Sequence, residues 1–146
     1  SDKTLETFGN KKLPVVRSYG MNAHVGWKGP TYRNLPNANY RVYTKTSDFS
    51  IPGPSEIFVF SEIHHNSICR PFYGVNMTSA SFYHVPADYH KPSSTFVFAD
   101  SHVEIHKWVD PRTINPPKNL DWHSHSYSSA NNRDLAWLQS RTTVRK

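Results

Sequence analysis

The chain has almost no cysteine. Cys69 is the only one among 146 residues, which excludes an internal disulfide framework and a thiolate-only zinc cluster. It leaves Cys69 as a small buried hydrophobe or as a partner for a thiol outside this sequence. Glycine is scarce as well, six residues against eleven prolines. That balance favours short extended pieces joined by rigid turns over long helices, and no phosphate-cradling glycine loop is present. No apolar run approaches the roughly 18 residues that cross a bilayer, and no signal peptide stands at the start. The opening, "SDKTLETFGNKK", lacks Met and reads as the interior of a longer protein. Charge runs are missing too: 17 basic and 11 acidic residues give a net +6, but no block of five like charges occurs, so no nucleic-acid partner is expected.

What the chain does have is aromatic and β-forming residues. Tyr, Phe and Trp make up 14% of it, and its length suits a single globular domain, residues 1–146. The expected class is α+β, mostly β: an antiparallel sheet, long loops and a short C-terminal helix. The first dozen residues are polar and read as loop. "VVRSYGMNAHVGW" (15–27) reads as a strand or two. Residues 28–54, with four prolines, read as a surface excursion carrying a short strand at "YRVYTK". "EIFVFSEI" (56–63) has the length and apolarity of a central strand. "TFVFADSHVEIHKW", residues 95–108, reads as a hairpin around a two-residue loop, Asp100-Ser101. That register faces Phe98 to Val103 and Phe96 to Ile105 on the core side. Loop returns over about 114–129, and "NNRDLAWLQSRT" reads as a helix capped by Asn132 or Asp134 and packed through Leu135, Trp137 and Leu138.

Nine histidines invite a metal or catalytic reading. His123 and His125 would share one face of a strand. His102 and His106 also share a face, yet four residues of extended chain hold them about 13 Å apart, too far for one ion. His64 and His65 would point to opposite sides. No H-E-x-x-H and no G-x-S-x-G occurs, so the residues give no support to an enzyme. A carbohydrate-binding module is the first alternative, with Trp27, Tyr32, Tyr43 and Trp122 as rings for stacking on sugar. A histidine-based metal enzyme using His64, His90, His102 or the His123/His125 pair is the second.

His90 and Asp100 stand nine intervening residues apart, and "FVFADSHVEIHKWVDPRT" follows from that region. This resembles the H-x9-DG signature of a prepilin-like family, relatives of type II secretion pseudopilins and type IV pilins. "SYGMNAHVGW", "PSEIFVFSEIHHNSI", "FYHVPADYH" and "NNRDLAWLQSRTT" resemble other segments of that family in the same order. The resemblance covers most of the chain outside the variable regions 28–50 and 114–129. It implies a non-enzymatic structural subunit, the globular head of a filament subunit. The family's N-terminal apolar helix, its only means of holding a membrane, would precede this sequence. Implied partners are copies of itself, other pseudopilins and secreted cargo, in the periplasm, cell envelope or outside the cell. His90, Asp100, Ser101 and His102 become the signature hairpin, with His90 and Asp100 bracing the turn. No cofactor is expected from the residues. The one the resemblance allows is Ca²⁺ on loop oxygens, with Asp88, Asp100 and Asp110 the nearest. Two departures stand out: Ser101 replaces the signature's glycine, and Ile63 and Asn66 occupy places where acidic residues are expected.

Overall fold

The computed structural model describes residues 5–8, 11–14, 18–88, 92–118 and 121–146. The main body is a five-stranded sheet in the order β5-β3-β4-β7-β8. Its strands are β3 (Tyr19–Asn22), β4 (Phe58–Glu62), β5 (Phe72–Tyr73), β7 (Ser93–Phe98) and β8 (Val103–Lys107). Neighbours run antiparallel except β3 and β5, which run parallel through Met21↔Phe72 and Asn22↔Tyr73. The mostly-β expectation holds, but the sheet is mixed rather than purely antiparallel. Two further sheets have two strands each. β1 (Leu5–Phe8) pairs with β2 (Lys11–Pro14) where the sequence reads as loop, and β6 (Ser81–Phe82) pairs with β9 (Tyr127–Ser128).

One face of the sheet is the core. Phe58, Phe96 and Phe98 project from it and meet Tyr73, Phe82, Trp108, Leu135 and Leu138. The rings pack edge-to-face, Phe58 on Phe96 at 5.3 Å and Phe96 on Trp137 at 5.0 Å, the geometry that opposing ring quadrupoles favour. The covering element is α2 (Arg133–Thr142). Asn132 caps it, its side-chain oxygen accepting from the backbone N–H of Asp134 and Leu135. Asp134, also buried, accepts from the backbone N–H of Val109 and Asp110. It thereby latches the helix to the chain leaving β8, just before the single-turn helix α1 (Pro111–Ile114). At the far end of α2, Asn22 donates to the carbonyls of Phe58 and Thr142, joining helix and sheet.

The central strand expected over 56–63 is β4, and it does lie between two others. The excursion over 28–54 differs from its reading. It holds no strand at 40–45, only single bridges, Val25↔Tyr43 and Tyr40↔Arg145. Leu35, Tyr40 and Tyr43 are buried beneath it, because paired backbone bonds, Gly26 N–H to Tyr43 C=O and Tyr43 N–H to His24 C=O, draw the segment onto the body. No helix among the described residues is long and apolar enough to cross a membrane.

Candidate functional site

The hairpin of β7 and β8 closes differently from the expectation, and the difference rearranges one face of the molecule. The loop has three residues, Ala99–Ser101. Ser101 N–H donates to the Phe98 carbonyl and Phe98 N–H to the His102 carbonyl. Ser101 takes φ +74°, the left-handed residue that ends a type I turn in three-residue hairpins. Asp100 stabilises the turn, accepting from the backbone N–H of His102 at 3.1 Å and facing His102 Nδ1 at 2.6 Å. Its carboxyl is held below the ordinary range by that side-chain bond and then by the backbone one. His102 also stacks flat on Phe98 at 4.4 Å. His90, the other half of the signature, lies outside the described residues.

With the third loop residue the pairs become Val97↔Val103, Phe96↔Glu104 and Thr95↔Ile105, one step from the expected register. A one-residue slip turns every side chain of a strand over. Val103 and Ile105, expected in the core, stand 60% and 68% exposed. They project on the face opposite Phe96 and Phe98, where Phe60 pairs with Val97 and with Met21 of β3. The outcome is an unbroken apolar row, Met21–Phe60–Val97–Val103, crossing four strands on the side away from the core. Tyr19 and Ile105 flank it. Phe60 reaches that side because a bulge between Phe58 and Phe60 lets consecutive ladder positions change face. Phe60 and Tyr19 are 42% and 44% exposed. A sheet face of this kind normally lies against another layer.

The other residues singled out by sequence are dispersed. Asp88 follows the bridge at Pro86, Asp100 is engaged at the hairpin, and Asp110 caps α1 and is gripped by Arg112 at 2.7 Å. These three carboxylates do not come together as one ion's ligands. Tyr43 is buried with its ring stacked on Phe49 at 4.6 Å, so it offers no face to a sugar. Trp27 and Tyr32 pack edge-on against Phe72, Trp27 tied further by its indole N–H to the Gly29 and Pro30 carbonyls. Trp122 opens a 3-10 turn, and its side chain lies outside the described part. His123 and His125 do not share a strand face: His125 has φ +53° and is buried, while His123 is exposed. His64 and His65 stack on each other at 4.3 Å instead of diverging. His106 stacks on Trp137 at 3.5 Å, and burial pushes its pKa down.

Sequence reasoning missed one cluster. Cys69, His84 and His125 come from three separate segments, and their ligand-type atoms all lie within 4.8 Å of one another. They are the only such group of three among the described residues. Sγ of Cys69 is 3.6 Å from Nε2 of His84 and 3.5 Å from Nε2 of His125. The separations along the chain, 15 and 41 residues (84 − 69 and 125 − 84), match no short ligand motif, so no spacing signal marks it. No family model, curated protein or solved structure matches the chain.

Proposed function

We propose that this chain is the head of a pseudopilin-like filament subunit and that its bare sheet face is the surface through which it assembles. One observation carries the reading: the apolar row Met21–Phe60–Val97–Val103 with Ile105 beside it, on the face opposite the aromatic core, where Phe60, Val103 and Ile105 stand exposed. Burying it is favourable at about 25 cal/mol for each Å² removed from water. A long apolar helix, such as begins subunits of the family the sequence resembles, is suited to such a flat face. The opposite face is filled by α2 and the aromatic core, so the head is built to offer one side only. Among the described residues, Asp88, Asp100 and Asp110 are dispersed and the rings of Trp27, Tyr32 and Tyr43 pack against Phe72 and Phe49, which favours scaffolding as the use of this surface.

The test is the coding sequence upstream of Ser1. A basic leader, a cleavage site and an apolar helix of about 20 residues are the expected result. A catalytic domain or an ordinary secretion signal in that place overturns the reading.

A further inference from the structure

The two imidazoles at Cys69 are wired in opposite senses. Nδ1 of His84 accepts from the backbone N–H of Gly74 at 2.9 Å, so the ring proton of neutral His84 sits on Nε2 and points at Sγ. Nδ1 of His125 faces the Tyr83 carbonyl at 3.2 Å. A carbonyl only accepts, so His125 carries its proton on Nδ1 and turns a lone pair on Nε2 toward Sγ. The sulfur thus receives one N–H and has one base to receive its own proton.

A metal ion requires the reverse at His84. A ligating histidine binds through a lone pair and donates its other ring N–H outward. His125 satisfies this, but His84 would set an N–H against the Gly74 N–H. The Gly74 backbone has little room to turn its N–H away, because the Tyr83 ring and Leu35 close in on its Cα. The pattern fits a thiol between a donor and a base, the arrangement that activates a sulfur nucleophile.

We propose that Cys69, His84 and His125 form a nucleophilic thiol centre that takes small anionic disulfides and becomes a mixed disulfide. Sγ attacks one sulfur of R–S–S–R as His125 Nε2 removes the thiol proton. The S–S bond breaks, Cys69–S–S–R forms, and R–S⁻ leaves and takes up the proton from His125. The His84 N–H stabilises charge on Sγ during attack. The chain has no second cysteine, so the adduct lasts until an external thiol reverses the exchange. Arg33 and Arg70 select for anions. Both act electrostatically on His125 and on Tyr83, whose ring stacks on His125 at 4.1 Å. Arg33 is held by the His123 carbonyl and Arg70 by the Tyr32 hydroxyl. A cavity of about 10 Å³ beside His125, lined also by Asp121, Ser67 and Ser126, has room for a single water. Burial pushes the His125 pKa down, as do Arg33, His123 and Arg70, while the bond to Tyr83 pushes it up. His125 is therefore the neutral, competent base at neutral pH. None of this depends on the filament reading.

The test is the rate of thiol exchange with dithiobis(nitrobenzoate), a dianionic disulfide, in the native chain. Cystamine, a dicationic one, is run beside it, and each rate is divided by that of the chain unfolded in denaturant. An ordinary thiol of pKa about 8.5 slows roughly 25-fold between pH 8 and 6.5. The native rate is expected to fall by less than about threefold over that interval. His125→Gln should restore the steep dependence, and His84→Gln should slow the exchange at every pH. The native-to-unfolded ratio should be higher for the anionic reagent. If His125→Gln does not fold, the wild-type profile against its own unfolded state decides alone. A native profile that parallels the unfolded one overturns the proposal. So does a larger ratio for cystamine, or stoichiometric Cd²⁺ binding, seen as a thiolate charge-transfer band, that requires His84.

Discussion

Ser101→Gly stabilises the protein, and the hairpin loop determines by how much. Ser101 is the only residue of the loop with positive φ, +74°. An L-residue there bears roughly 1–2 kcal/mol from the approach of Cβ to its carbonyl. Glycine removes that strain and gives back roughly 0.5–1 kcal/mol through its freer unfolded chain. The net gain is about 0.5–1 kcal/mol, which for a chain of this size raises Tm by about 2–4 °C at most. Thermal and denaturant unfolding measure it, and the denaturant slope should not change. Asp100→Gly separates this loop from the alternative. A two-residue type I′ loop needs positive φ at both positions, so there both glycine substitutions stabilise. In the three-residue loop Asp100 keeps a negative φ and supplies the bonds to His102, so Asp100→Gly destabilises. Stabilisation by both, or by neither, refutes the loop and with it the exposure of Val103 and Ile105.

Three further outcomes are expected. His24 is buried, its Nε2 accepting from the Asn37 N–H, and desolvation lowers its pKa to about 4. The folded state then holds fewer protons than the unfolded one between pH 6.5 and 4, and stability falls as pH drops through that window by about 3 kcal/mol; His24→Gln should flatten this slope in denaturant titrations. Asp134→Ala strands the part-buried N–H groups that join Val109 and Asp110 to α2 and should cost about 1 kcal/mol in chemical denaturation, while Asp134→Asn, which keeps an acceptor, should cost less. On the assembly reading proposed above, Val103→Lys with Ile105→Lys should leave stability within about 0.5 kcal/mol and abolish self-association, read by sedimentation or electron microscopy.

The elements were more legible in the sequence than their relations. β4 shows itself as an apolar run of strand length, β7 and β8 as two alternating runs about a turn, and α2 by its cap and its Leu135–Leu138 spacing. Each of these signals is local. The register of β8 is not, because Phe96 and Phe98 alternate with Thr95 and Val97 while Val103 and Ile105 alternate with Glu104 and His106. Either register gives a tolerable pattern, and only the backbone at Ser101 separates them. The segment 28–54 reads as surface through its prolines, yet Tyr43 is drawn inward by backbone bonds that no periodicity reports. For the Cys69 cluster, fold topology alone brings together residues from three loops, and His125 arrives there through a left-handed turn where the sequence suggests an extended H-x-H.

The three-residue loop has a consequence for how this surface is inherited. The apolar row is built of residues on four strands, but which side of β8 joins it is decided at a solvent-exposed corner none of them occupies. A change at positions 99–101 that favoured a two-residue turn would send Glu104 and His106 outward and Val103 and Ile105 inward, without altering one residue of the face itself. On the assembly reading proposed above, such a variant would keep its strands and lose its neighbours, its lesion lying at the tip of the hairpin, away from the contact it destroys.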